Sequence, residues 1–418
     1  MTRVAVTGLG AITPVGKDVE STWSALKAGR SGVGRITTFD ASTYPVQIAG
    51  MVEDFGDSDL ADPSFARYLS RGGKFGLIAG AEALADAGVA DAPYEPHDKG
   101  ISMGGSVGRP DLQELSDVLQ TREASDGREL LRRSPTAIMT TSQNVAPAAI
   151  AKLGDCRGPM MGISTACTAS AHAIGEATRR IQEGEAKLMV AGGADALTTW
   201  LDVLGFTLLG ALTKDYNDDP EHGSRPFDRD RTGFVLGEGA VMMVLEDMDA
   251  ARERGARIYG EVAGYGSSLN AYRMTDPPPD GSGPDLAMKG ALRESGLSPE
   301  DIDHVVAHGT GTPGGDVSET AAIKRVFGDH AKKLAVNSNK SMTGHTTCAA
   351  GALSLMTALL AMRDGVIAPT INLDNADPEL DLDYVPNQAR EARVKAAMVN
   401  AFAFGGTNAV LVARRAEA

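Results

Sequence analysis

Three stretches of this 418-residue chain bring together residue types that can perform nucleophilic chemistry. The first is Gly162-Ile163-Ser164-Thr165-Ala166-Cys167-Thr168-Ala169-Ser170-Ala171-His172-Ala173-Ile174, a turn of small residues running into a helical pattern with the cysteine near its start. A helix amino terminus offers free N–H groups and partial positive charge, which stabilise a thiolate and can hold a developing oxyanion. The second is Val305-Val306-Ala307-His308-Gly309-Thr310-Gly311-Thr312-Pro313-Gly314-Gly315-Asp316, where an apolar strand delivers a histidine into a loop of small and hydroxylated residues. Loops at the carboxyl ends of strands are where open α/β sheets bind ligands. The third, Asn337-Ser338-Asn339-Lys340-Ser341-Met342-Thr343-Gly344-His345, has the same design, with a lysine and a histidine five apart before an Ala-rich helix.

Each stretch alone has an ordinary explanation. A lone intracellular cysteine is most often a small buried hydrophobe, which is how Cys156 and Cys348 read. A lone strand-end histidine is most often structural. Together, however, the three supply a nucleophile and two groups to manage charge. A metal centre is the competing use of Cys and His, but no compact Cys-x-x-Cys or His-x-x-x-His pair sits in a site-like loop. His304 and His308 are four apart on a strand entering a loop and are discounted. Gly8-Leu9-Gly10-Ala11-Ile12-Thr13 resembles the start of a dinucleotide fingerprint, yet Thr13 stands where the third glycine belongs. Neither a metal nor a bound cofactor is expected.

The elements that must position these residues alternate between strand and helix. Val4–Thr7 reads as a buried strand, Val19–Leu26 as a helix, and Phe75–Ala87 as a helix stopped by Gly88. Leu188–Gly193 is an apolar run of the kind found in a parallel sheet buried on both faces. Phe234–Val244 and Phe402–Val412 share the shape apolar strand, Gly-rich turn, apolar strand, which suggests two similar halves, 1–255 and 256–418. Thr275–Gly281, with three prolines, must be an irregular loop. Arg122 to Arg133 reads as a solvated surface excursion.

A hydrophobic fraction of 42%, a charged fraction of 23% and 49 glycines against 5% aromatics fit an α/β protein with many tight turns. The net charge of −15 argues against general affinity for nucleic acid or anionic membranes. No apolar run reaches the roughly 20 residues a spanning helix needs. The first residues enter a strand pattern at once, and three cysteines are too few for a disulfide framework, so a cytoplasmic, reduced protein is expected.

At these three motifs the sequence resembles the β-ketoacyl-acyl carrier protein synthases of the thiolase superfamily, above all the elongating type II enzyme. The resemblance runs from Val4-Ala5-Val6-Thr7-Gly8-Leu9-Gly10, through Ser224-Arg225-Pro226-Phe227-Asp228-Arg229-Asp230-Arg231-Thr232-Gly233-Phe234-Val235-Leu236-Gly237-Glu238-Gly239, to Phe404-Gly405-Gly406-Thr407-Asn408. It implies a five-layered αβαβα fold of two similar halves, and dimerisation, either as a homodimer or with a chain-length factor-like subunit. It also implies that Cys167 accepts an acyl chain from an acyl carrier protein. His308 and His345 would then promote decarboxylation of malonyl-carrier protein, and the carbanion would attack the Cys167 thioester. The N–H groups of Cys167 and Phe404 would form the oxyanion hole, with Phe402 and Phe404 at the gate. Lys340 would organise the site through Asp316 and Glu319, Thr310 and Thr312 would hold phosphopantetheine, and Val107 would limit acyl-chain depth. Arg67, Arg71, Lys74 and Arg225 would dock the acidic carrier protein.

Four positions depart from the family pattern. Cys348 replaces a glycine, Ser354 a glutamate that would neutralise the lysine, Ala403 a glycine of the gate loop, and Arg273 a common histidine. They put the pathway in question more than the chemistry, and a dedicated polyketide or polyene pathway is the alternative to fatty acid elongation. A thiolase would need a second active-site cysteine near the carboxyl terminus, which Ala401–Gly406 lacks. A non-catalytic partner subunit would lack Cys167, and a cysteine hydrolase would leave the second histidine and the lysine without a role.

Overall fold

The computed structural model describes residues 2–106, 112–126 and 136–416. Val107 and residues 127–133 of the Arg122–Arg133 stretch lie outside the described residues; Arg122 itself lies in the last turn of a helix, Leu112–Ser125.

The first half runs β1 (Val4–Ile12), α1 (Arg71–Asp86), β2 (Lys99–Gly104), α2 (Val145–Gly154), β3 (Met160–Ile163), α3 (Ala169–Gln182), β4 (Leu188–Ala196) and β5 (Glu238–Asp247). The second repeats that order as β6 (Gly260–Leu269), α4 (Pro284–Ser295), β7 (His304–Val306), α5 (Pro313–Phe327), β8 (Ala335–Asn337), α6 (Ala350–Asp364), β9 (Ala396–Phe402) and β10 (Thr407–Arg414). The ten strands lie in the order β8-β7-β9-β10-β6-β1-β5-β4-β2-β3, which is mirrored about the seam between β6 and β1. The seam ladder is short, pairing Ala5 with Glu261 and Val6 with Gly260.

Each half-sheet is mixed rather than parallel. β2 runs parallel to β3 and β4, while β5 lies antiparallel to both β4 and β1. The second half has the same senses. The two glycine-rich segments that look alike in sequence therefore part ways. Residues 402–412 form a hairpin, β9 into β10, but residues 234–237 make only isolated bridges and a single strand begins at Glu238. The glycines of the first segment serve close approach instead of chain reversal: a Cβ on Gly237 would stand 2.5 Å from the Thr343 carbonyl oxygen. Gly8 and Gly10 have the same use. They sit inside β1, where α1 presses so closely that a Cβ on Gly10 would fall 1.9 Å from the Ala79 carbonyl oxygen. That short Gly-x-Gly is a helix-packing device, not a phosphate loop.

α1 starts four residues earlier than its apolar pattern suggests, because Ser70 caps it through Gly73 N–H and offsets the poor helix propensity of Gly72 and Gly73. It covers β1, β4 and β5 from outside, as α4 covers β6 and β10. Between the half-sheets lie α3 and α6, each packed on strands of both halves. α6 is apolar nearly all round and buried accordingly. The two meet through small residues: a Cβ on Gly351 would stand 2.9 Å from that of Ala171, and Ser170 Oγ accepts the Ala352 N–H at 3.0 Å. The result is helix, sheet, helix, sheet, helix, the five-layered fold of two similar halves. Among the described residues no helix is long and apolar enough to cross a membrane.

Candidate active site

The site forms where loops from the two halves converge. After β3 the chain turns through Ala166, at φ +50°, into a single 3-10 turn, Ala166–Thr168, and then into α3. The mirrored connection after β8 does the same: Thr347, at φ +46°, opens the turn Thr347–Ala349 before α6. Cys167 and Cys348 thus occupy matching positions in the two halves. A non-glycine residue at positive φ is held only where its surroundings over-determine it, and such residues gather at functional sites.

Cys167 is buried, and one cavity is lined by its side chain together with His308, His345, Phe402, Phe404, Thr310 and Thr312. Burial pushes its thiol up to about 12, against the pull of the Lys340 ammonium. The expected lowering by the helix start does not prevail: α3 begins two residues beyond the sulfur, and the dry surroundings favour the neutral form. The backbone N–H of Phe404 meets no acceptor among the described residues, and that of Cys167 faces only its own sulfur.

His308 leaves the end of β7 with its backbone fixed on both sides. Its N–H donates to Glu319 Oε1 at 2.8 Å, and its carbonyl accepts the Lys340 ammonium at 2.5 Å. Its ring is perpendicular to that of His345 with centroids 5.2 Å apart, and 5.7 Å from Phe402. His308 Nδ1 is buried with no partner among the described residues, the kind of unmet polar atom that awaits a ligand. His345 Nδ1 accepts the Thr347 N–H at 3.2 Å, which places its one proton on Nε2. Burial and then the Lys340 charge hold both imidazoles well below the usual histidine range, so both are neutral.

Lys340 is itself lowered to about 8 by burial, with Glu319, Cys167 and Asp316 pulling the other way. It touches neither carboxylate directly. Glu319 is spent on the N–H groups of His308 and Gly309 and on Asn400 Nδ2. Asp316 accepts Phe227, Thr310 and Gly311 N–H groups, stands 3.7 Å from Arg231, and is raised to about 6 by burial. The two acids therefore shape the His308–Thr312 loop, and act on the lysine only through space. Thr310 and Thr312 join hydroxyl to hydroxyl at 2.9 Å along the cavity wall. Phe404 stacks on Phe206 with centroids 6.5 Å apart.

The expected docking cations fare differently. Arg225 is 6% exposed and paired with Asp228 and Asp374, so an incoming protein cannot reach it. That expectation is corrected: the Arg-rich segment that carries it folds inward around Asp228. Arg71 is committed to buried Glu238 and the Val52 carbonyl, and Lys74 to Asp57. Only Arg67, over the Tyr68 ring, is exposed.

Sequence reading missed Asp195. At the end of β4 it accepts from Ser106 Oγ, Thr347 Oγ1 and Cys348 N–H, tying the second turn to the first half. The strand-end rule that singled out His308 would have found it. It also missed Asn270, whose N–H donates to Gly406 O at 2.7 Å beneath the turn that carries Phe404.

Comparisons with known proteins point to one family. Residues 1–251 match the beta-ketoacyl synthase N-terminal domain and residues 259–374 its C-terminal domain. A 3-oxoacyl-[acyl-carrier-protein] synthase 2 of Coxiella burnetii is 44% identical over 99% of this chain and 98% of its own, and one from Synechocystis is 43% identical over 99% and 98%. Among solved structures, the ishigamide ketosynthase/chain length factor superposes with a TM-score of 0.89 at 34% identity, covering all of both chains. A type II polyketide ketosynthase bound to a hexaketide, in complex with its acyl-carrier protein, does so at 0.89 and 31%, again over all of both chains. With its fold, its mirrored turns and its full-length relatives in agreement, this chain belongs to the beta-ketoacyl synthase family of condensing enzymes.

Proposed function

We propose that the chain catalyses decarboxylative condensation of malonyl-carrier protein with an acyl group held on Cys167. The observation that carries the reading is the pair of neutral imidazoles, 5.2 Å apart by centroid, sharing one cavity with a buried thiol. In loading, the Cys167 sulfur displaces the carrier thiol from its acyl thioester. The thiol proton leaves with the carrier, so a neutral resting cysteine suffices. Malonyl-carrier protein then loses carbon dioxide, and the electron pair of the broken bond becomes an enolate. Its oxygen takes hydrogen bonds from His345 Nε2 and the His308 ring. The enolate carbon attacks the Cys167 thioester, whose oxyanion rests on the Cys167 and Phe404 N–H groups. Collapse releases the 3-oxoacyl-carrier protein and the Cys167 thiolate, which regains a proton. No strong base is required, because decarboxylation itself generates the carbanion.

Fatty acid elongation is the preferred pathway, on the strength of relatives above 40% identity. Assembly as a homodimer, a cytoplasmic setting, no bound cofactor, and a boundary between the halves near residue 255 belong to the same reading. A second reading, condensation in a polyketide or polyene pathway beside a chain-length factor subunit, is favoured by the polyketide ketosynthases among the structural neighbours and by Cys348, Ser354, Ala403 and Arg273. Incubation with malonyl- and acyl-carrier proteins of both kinds, followed by intact mass of protein and products, tests both. A 3-oxoacyl product extended by one two-carbon unit is expected. Turnover with the fatty acid carrier alone eliminates the second reading, and absence of any loaded species defeats both.

A further inference from the structure

His172 lies on α3, five residues beyond Cys167, and is 8% exposed. Both ring nitrogens are engaged across the boundary between the halves. Nδ1 is 2.5 Å from the Tyr265 hydroxyl on β6, and Nε2 is 3.2 Å from Thr407 Oγ1, the first residue of β10. Burial lowers the ring to about 4, so it is neutral and keeps one donor and one acceptor. Either tautomer makes both bonds, since each partner is a hydroxyl.

The surroundings are built to hold this arrangement. The Tyr265 ring lies over Gly175 on the same helix, where a Cβ would stand 2.4 Å from the ring, and the Arg179 guanidinium is 4.7 Å from its centroid. Thr407 is the end of the gate loop. Its carbonyl accepts the Ala403 N–H at 2.9 Å, and Ala403 O accepts the Gly406 N–H at 3.0 Å, which closes a tight turn containing Phe404. From the far side, Met274 O accepts the Gly405 N–H at 2.7 Å. The turn that carries the Phe404 N–H is thus fixed to its own half by backbone bonds, and to the helix behind the nucleophile by His172.

We propose that His172 is a positioning residue for acyl transfer: through Thr407 it sets the gate turn relative to Cys167, and so aligns the Phe404 N–H with the thioester oxyanion. This rests on the ketosynthase reading, in which that N–H completes the oxyanion hole. Decarboxylation of the malonyl group uses the two imidazoles and not this N–H, so the two half-reactions should separate.

The test measures two rates on the full-length protein: acyl transfer from an acyl-carrier protein to Cys167, by intact mass, and carbon dioxide release from malonyl-carrier protein. His172→Leu and Thr407→Val are each expected to slow loading by about ten- to a hundredfold, the penalty for misplacing a catalytic group by an ångström or less. Carbon dioxide release should stay within about twofold, because its donors are untouched. The double variant should load no more slowly than the worse single one, as two ends of one link are not additive. His172→Gln, whose amide reaches the place of Nε2, should restore loading, whereas His172→Asn, which reaches that of Nδ1, should not. Loss of both rates together, rescue by Asn as well as by Gln, or a folded Thr407→Val protein that loads at the unsubstituted rate would each overturn the proposal. An unsubstituted protein that never loads sinks the ketosynthase reading, and this inference with it; normal loading by every variant sinks this inference alone.

Discussion

On the proposed mechanism, replacing His345 with alanine isolates the contribution of one imidazole to enolate stabilisation. The proton on His345 Nε2 is fixed there by the Thr347 N–H at Nδ1, so the donor needs no rearrangement when charge develops. Loss of one such preorganised donor costs about 2.7–4 kcal/mol in comparable sites. At about 1.36 kcal/mol per factor of ten, that predicts a fall of roughly 10²–10³ in carbon dioxide release from malonyl-carrier protein. Loading of Cys167 should fall far less, because the N–H groups of Cys167 and Phe404 are untouched. Release of labelled carbon dioxide, beside intact mass for the loaded enzyme, gives the two rates.

The pH dependence of the same assay bears on the same reasoning. Both histidines have pKa values well below 6.5 through burial and the Lys340 charge. A group whose folded pKa is depressed takes up its proton only below that lowered value, so decarboxylation should stay flat as pH falls through 6.5. A His345→Ala protein that decarboxylates within about threefold of the unsubstituted rate, where roughly 10²-fold is expected, would refute the assignment. So would an acid limb centred near 6.5 in the unsubstituted enzyme.

Other perturbations probe the same geometry. Cys167→Ala should abolish acyl loading while malonyl decarboxylation persists, since the two imidazoles remain; mass of the loaded species and carbon dioxide release check this together. Lys340, held at about 8, loses its charge as pH rises through that value, and with it the pull that favours ionised Cys167. Because the ion-paired form and the form with neutral lysine and neutral thiol hold the same number of protons, the rise of loading rate with pH should flatten above 8, and Lys340→Met should remove that bend from the profile. Gly10→Ala pits a Cβ against backbone 1.9 Å away and should cost about 3 kcal/mol or more in urea unfolding. Gly34→Ala, with nothing within 4 Å, should stay within about 0.5 kcal/mol. Arg225→Ala breaks a buried pair with Asp228 and should cost about 3–5 kcal/mol of stability, while carrier affinity of the folded protein stays unchanged.

The duplicated architecture and the gathering of Cys167, His308 and His345 into one cavity were legible because strand-end loops of small residues leave a clear mark. The hairpin at 402–412 was legible too. Its apparent twin at 234–244 was not, since glycine serves chain reversal and close approach equally well and only the packing partner decides which. The fate of the arginines was hidden for a related reason. Arg67 and Arg225 look equally free to face solvent in sequence, but Asp228, three residues from Arg225, turns that segment inward. The acidic side of the site was half visible: Asp316 and Glu319 act on Lys340 through space but bind backbone N–H groups, a use that side-chain identity alone cannot announce. The Cys167 thiol's neutrality could not be read at all, because burial is a tertiary quantity.

The contact of α3 with α6 has a consequence for specificity. Cys167 hangs from one copy of the framework and both His308 and His345 from the other, and the two copies meet through residues no larger than Gly351, Ala171 and Ser170. One methyl group added there would wedge the copies apart and alter the reach between sulfur and imidazole without any change in the reacting groups. On the proposed mechanism, turnover should therefore respond to changes in the interior as well as in the cavity, and variants at buried small residues belong in any search for altered chain preference.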